Sequence, residues 1–177
     1  MDRIETRDMM LEILPKHSIG AELGVFKGQF SDVILEVVKP SMLYLFDKFP
    51  KRARSGDKDG NNIEQVNLLE YYENVLVPKY RNMPNVTLLK LPTSEAERFA
   101  DGHLDWCYID ADHSFEGVMK DLNLMKRKVK KGGWVMGHDF TPRTIGVLRA
   151  VEQFLSDNNL EMQYITNDRC PSFAIQL

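Results

Sequence analysis

Two short segments carry the densest chemistry in this chain: Asp110-Ala111-Asp112-His113 and Gly137-His138-Asp139. Each follows an apolar run, Trp106-Cys107-Tyr108-Ile109 and Gly133-Trp134-Val135-Met136. If those runs are neighbouring parallel strands, their ends share one sheet edge, and three acids and two histidines converge there. Asp110 and Asp139, with His138 or Asp112 as a third ligand, suit a hard divalent ion such as Mg2+ or Mn2+. Alternatively, these acids are sheet-end residues bonded to nearby backbone or to a bound cofactor. His113 stands three residues beyond Asp110. An imidazole with an ordinary pKa near ~6.5 suits a general base, although capping of the helix that begins near Ser114 is its other use. Cys107 and Cys170 are too far apart for a zinc motif. His17 and His103 fall in turns and receive no role.

A second cluster lies earlier. The run Ile19-Gly20-Ala21-Glu22-Leu23-Gly24-Val25 passes into Phe26-Lys27-Gly28. This is an acid, then glycines, at a strand-to-helix junction, where backbone approaches a ligand closely and the helix start favours polar groups. Phe26 and Gln29 stand where a dinucleotide fingerprint has glycine, which disfavours a nicotinamide oxidoreductase. Glu22 at a strand end is costly to bury unless it faces a cation or donors. Asp47 ends the next apolar run, 19 residues after Gly28, and is placed to accept the hydroxyls of a ribose.

Glu22-Leu-Gly-Val-Phe-Lys-Gly28, Leu45-Phe-Asp47, Tyr108-Ile-Asp-Ala-Asp-His-Ser-Phe-Glu-Gly-Val118 and Gly132-Gly-Trp-Val-Met-Gly-His-Asp-Phe140, in that order, resemble the class I S-adenosylmethionine-dependent methyltransferases. Within them they resemble a small branch that includes macrolide-sugar O-methyltransferases and proteins once labelled cephalosporin hydroxylases. The resemblance spans residues 18–177. It implies that Glu22 holds the methionine amino end and that Gly24 and Gly28 line methionine and ribose, with Val25 and Phe26 between them. Phe26 replaces a commoner glycine, as it does in this branch. Ser31 is expected to reach the methionine carboxylate. Asp47, with Lys48 beside it, takes the ribose, and Pro92, Thr93 and Ser94 take the adenine side. Asp110 belongs to both the cofactor site and the chemical site. The implied reaction is methyl transfer to a hydroxyl oxygen of a small molecule or sugar, with Asp110, His138 and Asp139 holding a metal. His113 is then the base, as an Asp-x-x-His arrangement is in that branch. The rival reading is a nucleoside-binding module without catalysis.

These residues require a scaffold of alternating elements. Further strand candidates are Met42–Phe46, Val86–Leu89, Glu161–Thr166 and Ser172–Leu177, the last two as a hairpin around Asn167-Asp168-Arg169-Cys170-Pro171. Helices are predicted over about 29–38, 62–82, 93–100, 114–129 and 144–157. The implied fold is a Rossmann-like, doubly wound, mostly parallel seven-stranded α/β sheet with an antiparallel C-terminal hairpin strand, in one domain over 1–177. Phe49–Asn62 is a long polar loop at the ligand edge, a candidate lid. Its Lys51-Arg52-Ala53-Arg54 could attract an anionic substrate such as a nucleotide-linked sugar.

Composition limits the alternatives. With 177 residues, 43% hydrophobic and 28% charged, the chain can bury a core. Its net charge of −3 gives no general case for nucleic acid or anionic membrane. The basic run Lys126–Lys131 reads as a solvated helix end. No apolar run approaches a membrane span, and Met1–Glu5 lacks a signal-like apolar stretch, so a cytoplasmic location is expected. No inserted helices exist to enclose a substrate, so a partner subunit, a second copy included, is expected to cover the site; otherwise affinity is low.

Overall fold

The computed structural model describes residues 1–55 and 64–177. Each of the seven apolar runs forms a strand: β2 (Ile19–Leu23), β3 (Met42–Asp47), β6 (Val86–Lys90), β7 (Leu104–Ile109), β8 (Val129–Gly137), β9 (Met162–Thr166) and β10 (Phe173–Gln176). An eighth, β1 (Asp2–Ile4), pairs in parallel with β9 at the sheet edge. It is short and polar, as edge strands are, so no apolar run marks it. The order is β1-β9-β10-β8-β7-β2-β3-β6, and β10 runs antiparallel to both neighbours. The expected sheet is therefore present with one strand more.

Runs are continuous rather than alternating because helices cover both faces. Side chains of one strand divide between two cores. Cys107, Ile109 and Phe46 pack with α5 (Phe115–Lys128) and α6 (Ile145–Asn158), through Val118, Leu122, Met125, Val151 and Phe154. Trp106, Tyr108, Leu43 and Leu45 pack on the other side with α1 (Arg7–Met10) and α2 (Gln29–Val37), through Met10, Phe30 and Ile34. Each such side chain contributes roughly 1.5–3 kcal/mol by leaving water, enough together to hold polar groups in place at the strand ends. Trp106 is fully buried, and its indole N–H donates to Ser18 Oγ at 2.8 Å.

Three expectations change in detail, and a fourth is not reached. The predicted helix over 62–82 begins later: β5 (Glu64–Val66) pairs with β4 (Ala53–Ser55), and α3 (Leu68–Tyr71), a π segment and α4 (Val77–Tyr80) follow. The middle of the candidate lid, residues 56–62, lies outside the described residues. Residues 93–98 form a 3-10 turn instead of an α-helix. Thr93 does not cap it, because its hydroxyl donates across to Asp121 Oδ1 on α5 at 2.7 Å. Finally, β8 begins at Val129, directly after α5 and ahead of the Gly133–Met136 run, and Val129 pairs with Leu104. The basic run is largely paired: Arg127 to Glu97, Lys128 to Asp101 and Lys130 to Asp105.

Candidate active site

The chain runs from β2 outward to β3 and β6, then returns to β7 on the other side of β2. Between β2 and β7 the winding reverses, which opens a crevice at the carboxyl ends of the strands. A cleft of about 1920 Å³ lies at this edge. Gly24, at its floor, has φ +96°. A Cβ there would stand 2.0 Å from the Asp110 carbonyl oxygen, so only glycine lets the two strand ends approach this closely. The Gly24 N–H donates to Phe46 O at 2.8 Å and that of Asp110 to Leu23 O at 2.7 Å. The first turn and the chemical segment are thereby joined.

Asp47 fixes the turn from the side. Its Oδ2 accepts the backbone N–H groups of Val25 (3.0 Å) and Phe26 (2.9 Å), and its Oδ1 accepts that of Phe49 (2.8 Å). These bonds hold Phe26 at φ +52°, a costly conformation for an aromatic residue. A carboxylate has about four acceptor directions, so roughly one remains for a ribose hydroxyl. Val25, Phe26, Asp47 and Lys48 all line the cleft.

Glu22 points into the cleft but is only 2% exposed. Burial pushes its carboxyl up to about 8, against the lowering effect of the Ser31 hydroxyl, which donates to Oε2 at 2.5 Å. Ser31 is wholly buried behind Glu22, and Gly28 faces the Tyr80 hydroxyl. Neither lines the cleft. In the structure Ser31 orients Glu22, and Gly28 supplies the φ +72° start of α2.

Pro92, Thr93 and Ser94 line the opposite wall. Behind Thr93 sits Asp121, 4% exposed, its carboxyl raised by burial. Sequence reasoning passed over Asp121, although its place among Val118, Leu122 and Met125 marks it as an acid on an apolar helix face. Arg7, also on the cleft wall, was missed too.

The chemical end is assembled by β7 and β8. His113 Nε2 lies 3.5 Å from Asp110 Oδ1 and 3.3 Å from Asp139 Oδ2. His138 Nδ1 lies 3.7 Å from Asp110 Oδ2 and 3.3 Å from Asp139 Oδ1. Asp139 adopts φ +61°, which turns its carboxylate between the two imidazoles. The hydrogen bond to Asp110 holds the His113 imidazolium above the usual histidine range despite its partial burial. Burial opposes the charge on Asp139, but His138, His113 and the Cys170 thiol outweigh it and keep the carboxyl low. Asp112 is not part of this group. Its Oδ1 accepts the Ser114 N–H at 2.8 Å, and Ser114 caps α5 through the Gly117 N–H. Atoms of Asp110, His113 and Asp139 that could ligate an ion lie within 4.8 Å of one another. His113 thus joins the two acids that sequence reasoning paired with His138, and His138 stays within 3.7 Å of both.

A family model described as a methyltransferase domain matches residues 21–140. No curated protein matches the sequence significantly. Among solved structures, a Corynebacterium glutamicum protein superposes with a TM-score of 0.68 at 12% identity, over 99% of this chain and 82% of that one. A putative rRNA-methylase from Clostridium thermocellum gives 0.64 at 12%, over 96% and 94%. The trans-methyltransferase CalH, solved with SAH, gives 0.63 at 12%, over 96% of this chain and 54% of its own. The matched stretch contains the Gly24 turn, Asp47 and the Asp110–His113 and His138–Asp139 segments, and with it the chain belongs to the methyltransferase-domain family, among the class I S-adenosylmethionine-dependent methyltransferases.

Proposed function

We propose that this chain moves the methyl group of S-adenosylmethionine to a hydroxyl oxygen of a small molecule or sugar. The observation that carries the reading is the junction of two sites in one cleft. The Gly24 turn abuts Asp110, and Asp110 contacts His113. A sulfonium seated at the turn therefore has a proton acceptor next to it.

Glu22 receives the α-ammonium of the methionine part, with Ser31 orienting its carboxyl. Asp47 gives its remaining acceptor direction to the ribose. Thr93 and Ser94 flank the adenine. In the reaction the acceptor oxygen forms a bond to the methyl carbon as the carbon–sulfur bond breaks. The electron pair stays on sulfur, which leaves S-adenosylhomocysteine. His113 takes the hydroxyl proton, and Asp110 and Asp139 stabilise the imidazolium that results. His138 holds Asp139 from the other side.

The gap between the two carboxylates also fits a hard divalent cation on the chemistry of its donors, with Asp110, Asp139 and His113 as ligands. Such an ion would supply charge stabilisation to the attacking oxygen. Ligation and proton transfer compete for the same nitrogen of His113, so the two versions are separable. The test is transfer of labelled methyl from S-adenosylmethionine to a panel of sugars, nucleotide-linked sugars and phenols, with chelator and with added Mg2+ or Mn2+. Label in an O-methyl ether supports the reading. Label on nitrogen, carbon or nucleic acid overturns it. Cofactor binding without transfer to any acceptor favours the binding-module alternative.

A further inference from the structure

We propose that Arg7, from the N-terminal segment outside the family-model match, holds the α-carboxylate of the methionine end of S-adenosylmethionine. The proposal rests on the cofactor reading above and completes the same site. Because β1 runs parallel to β9, the chain leaves Ile4 at the ligand edge of the sheet. The Asn167 N–H closes onto Ile4 O at 2.9 Å, and Asp168 Oδ2 accepts the Arg7 backbone N–H at 2.7 Å. Thr6 then caps α1. These contacts fix the backbone of residue 7 without using its side chain.

The guanidinium stands 4.4 Å over the Phe30 ring, which in turn packs on Tyr108. It lines the cleft with Glu22. Among the described residues no carboxylate lies within ion-pair distance of it. One of its five donors goes to the Tyr108 hydroxyl; a half-buried guanidinium so fixed, with further donors and no carboxylate at ion-pair distance, is an anion receptor of set orientation. Its charge acts on Glu22, with which it shares the cleft wall, and on Tyr108. The anion it takes therefore sits at the Glu22 end of the cleft. An acid and a cation on one wall, one for each charge, match an α-amino acid zwitterion. Ser31, the other candidate for that carboxylate, is wholly buried.

The experiment is calorimetric titration of the full chain with S-adenosylhomocysteine and with its decarboxylated analogue, which keeps the ammonium. In Arg7→Met, S-adenosylhomocysteine should bind about 10–100-fold more weakly, the worth of a charge-assisted contact. The decarboxylated analogue should bind within about twofold of its wild-type affinity. Arg7→Lys should recover part of the loss for S-adenosylhomocysteine alone. Thermal melts of both variants check that the fold is kept. An equal loss for both ligands would overturn the proposal, because Arg7 would then act by shaping Glu22 or α1. So would unchanged affinity for S-adenosylhomocysteine in Arg7→Met, which would leave the guanidinium to an anionic acceptor. If the wild-type chain binds neither ligand, the cofactor reading itself fails, and only that outcome removes both.

Discussion

Replacing Glu22 with Gln should remove a pH dependence that the wild-type chain carries in both stability and cofactor affinity. Glu22 is 2% exposed, and burial raises its carboxyl from about 4.5 to about 8. Between those values the folded chain holds a proton that the unfolded chain has lost. Stability therefore falls as pH rises, by up to about 1.4 kcal/mol per unit from about pH 4.5 to about pH 8, and is flat above. Cofactor binding has the opposite sign. The α-ammonium needs an ionised Glu22, so binding below about pH 8 expels a proton, and affinity rises up to tenfold per unit toward that value. At pH 6 the expected affinity is up to about 100-fold below its pH 8 limit. Urea denaturation of the ligand-free chain at pH 5.5, 6.5 and 7.5 measures the first slope. Calorimetry with S-adenosylhomocysteine in buffers of different ionisation enthalpy measures the second, along with the proton released. Glu22→Gln, which keeps the Ser31 contact, should flatten the second and cut the first to the smaller slope that His113 and Asp121 contribute. A flat wild-type profile, or a variant whose slope equals that of the wild type, would refute the assignment of a neutral buried acid to this position.

Other expectations follow from the same geometry. Asp47→Ala should weaken cofactor binding and also lower stability by about 1.5–3 kcal/mol, since three backbone N–H groups lose a charged acceptor; an unchanged denaturation midpoint would leave Asp47 as a ligand contact only. His113→Ala should lower kcat by roughly 10²–10⁴ with little change in S-adenosylhomocysteine affinity, and His138→Ala should cost less. In the absence of metal, the rising limb of the wild-type kcat/KM profile should lie above ~6.5, because Asp110 and Asp139 favour the charged imidazole that must first lose its proton. Gly24→Ala should abolish cofactor binding and destabilise the fold, since the new methyl meets the Asp110 carbonyl. Equilibrium denaturation and calorimetry check both effects.

The parallel strands were legible because burial on two faces writes them as uninterrupted apolar runs, as in Leu43–Phe46 and Trp106–Ile109. The glycine at position 24 and the paired segments at 110–113 and 137–139 were legible because strand ends in such a sheet share an edge. Less legible was anything decided by long-range partners. Asp2–Ile4 has no apolar pattern and is a strand only because the β9 edge receives it. Arg7 looks like any charged residue before a helix until β1 carries it to the cleft. Spacing alone does not show that the Ser31 hydroxyl donates to Glu22 or that the Gly28 carbonyl accepts the Tyr80 hydroxyl. Asp112 and Asp110 are chemically alike in sequence. The start of α5 draws one carboxylate to the Ser114 N–H and leaves the other for His113.

A crystal structure of the chain with S-adenosylhomocysteine tests the central claim most directly. The expected density has the sulfur above the Gly24 turn, facing His113, with the ammonium on Glu22, a ribose hydroxyl on Asp47 and the adenine beside Thr93. A chain that does not bind the ligand, or one that binds it with the sulfur turned away from the Asp110–His113–Asp139 group, would contradict that claim.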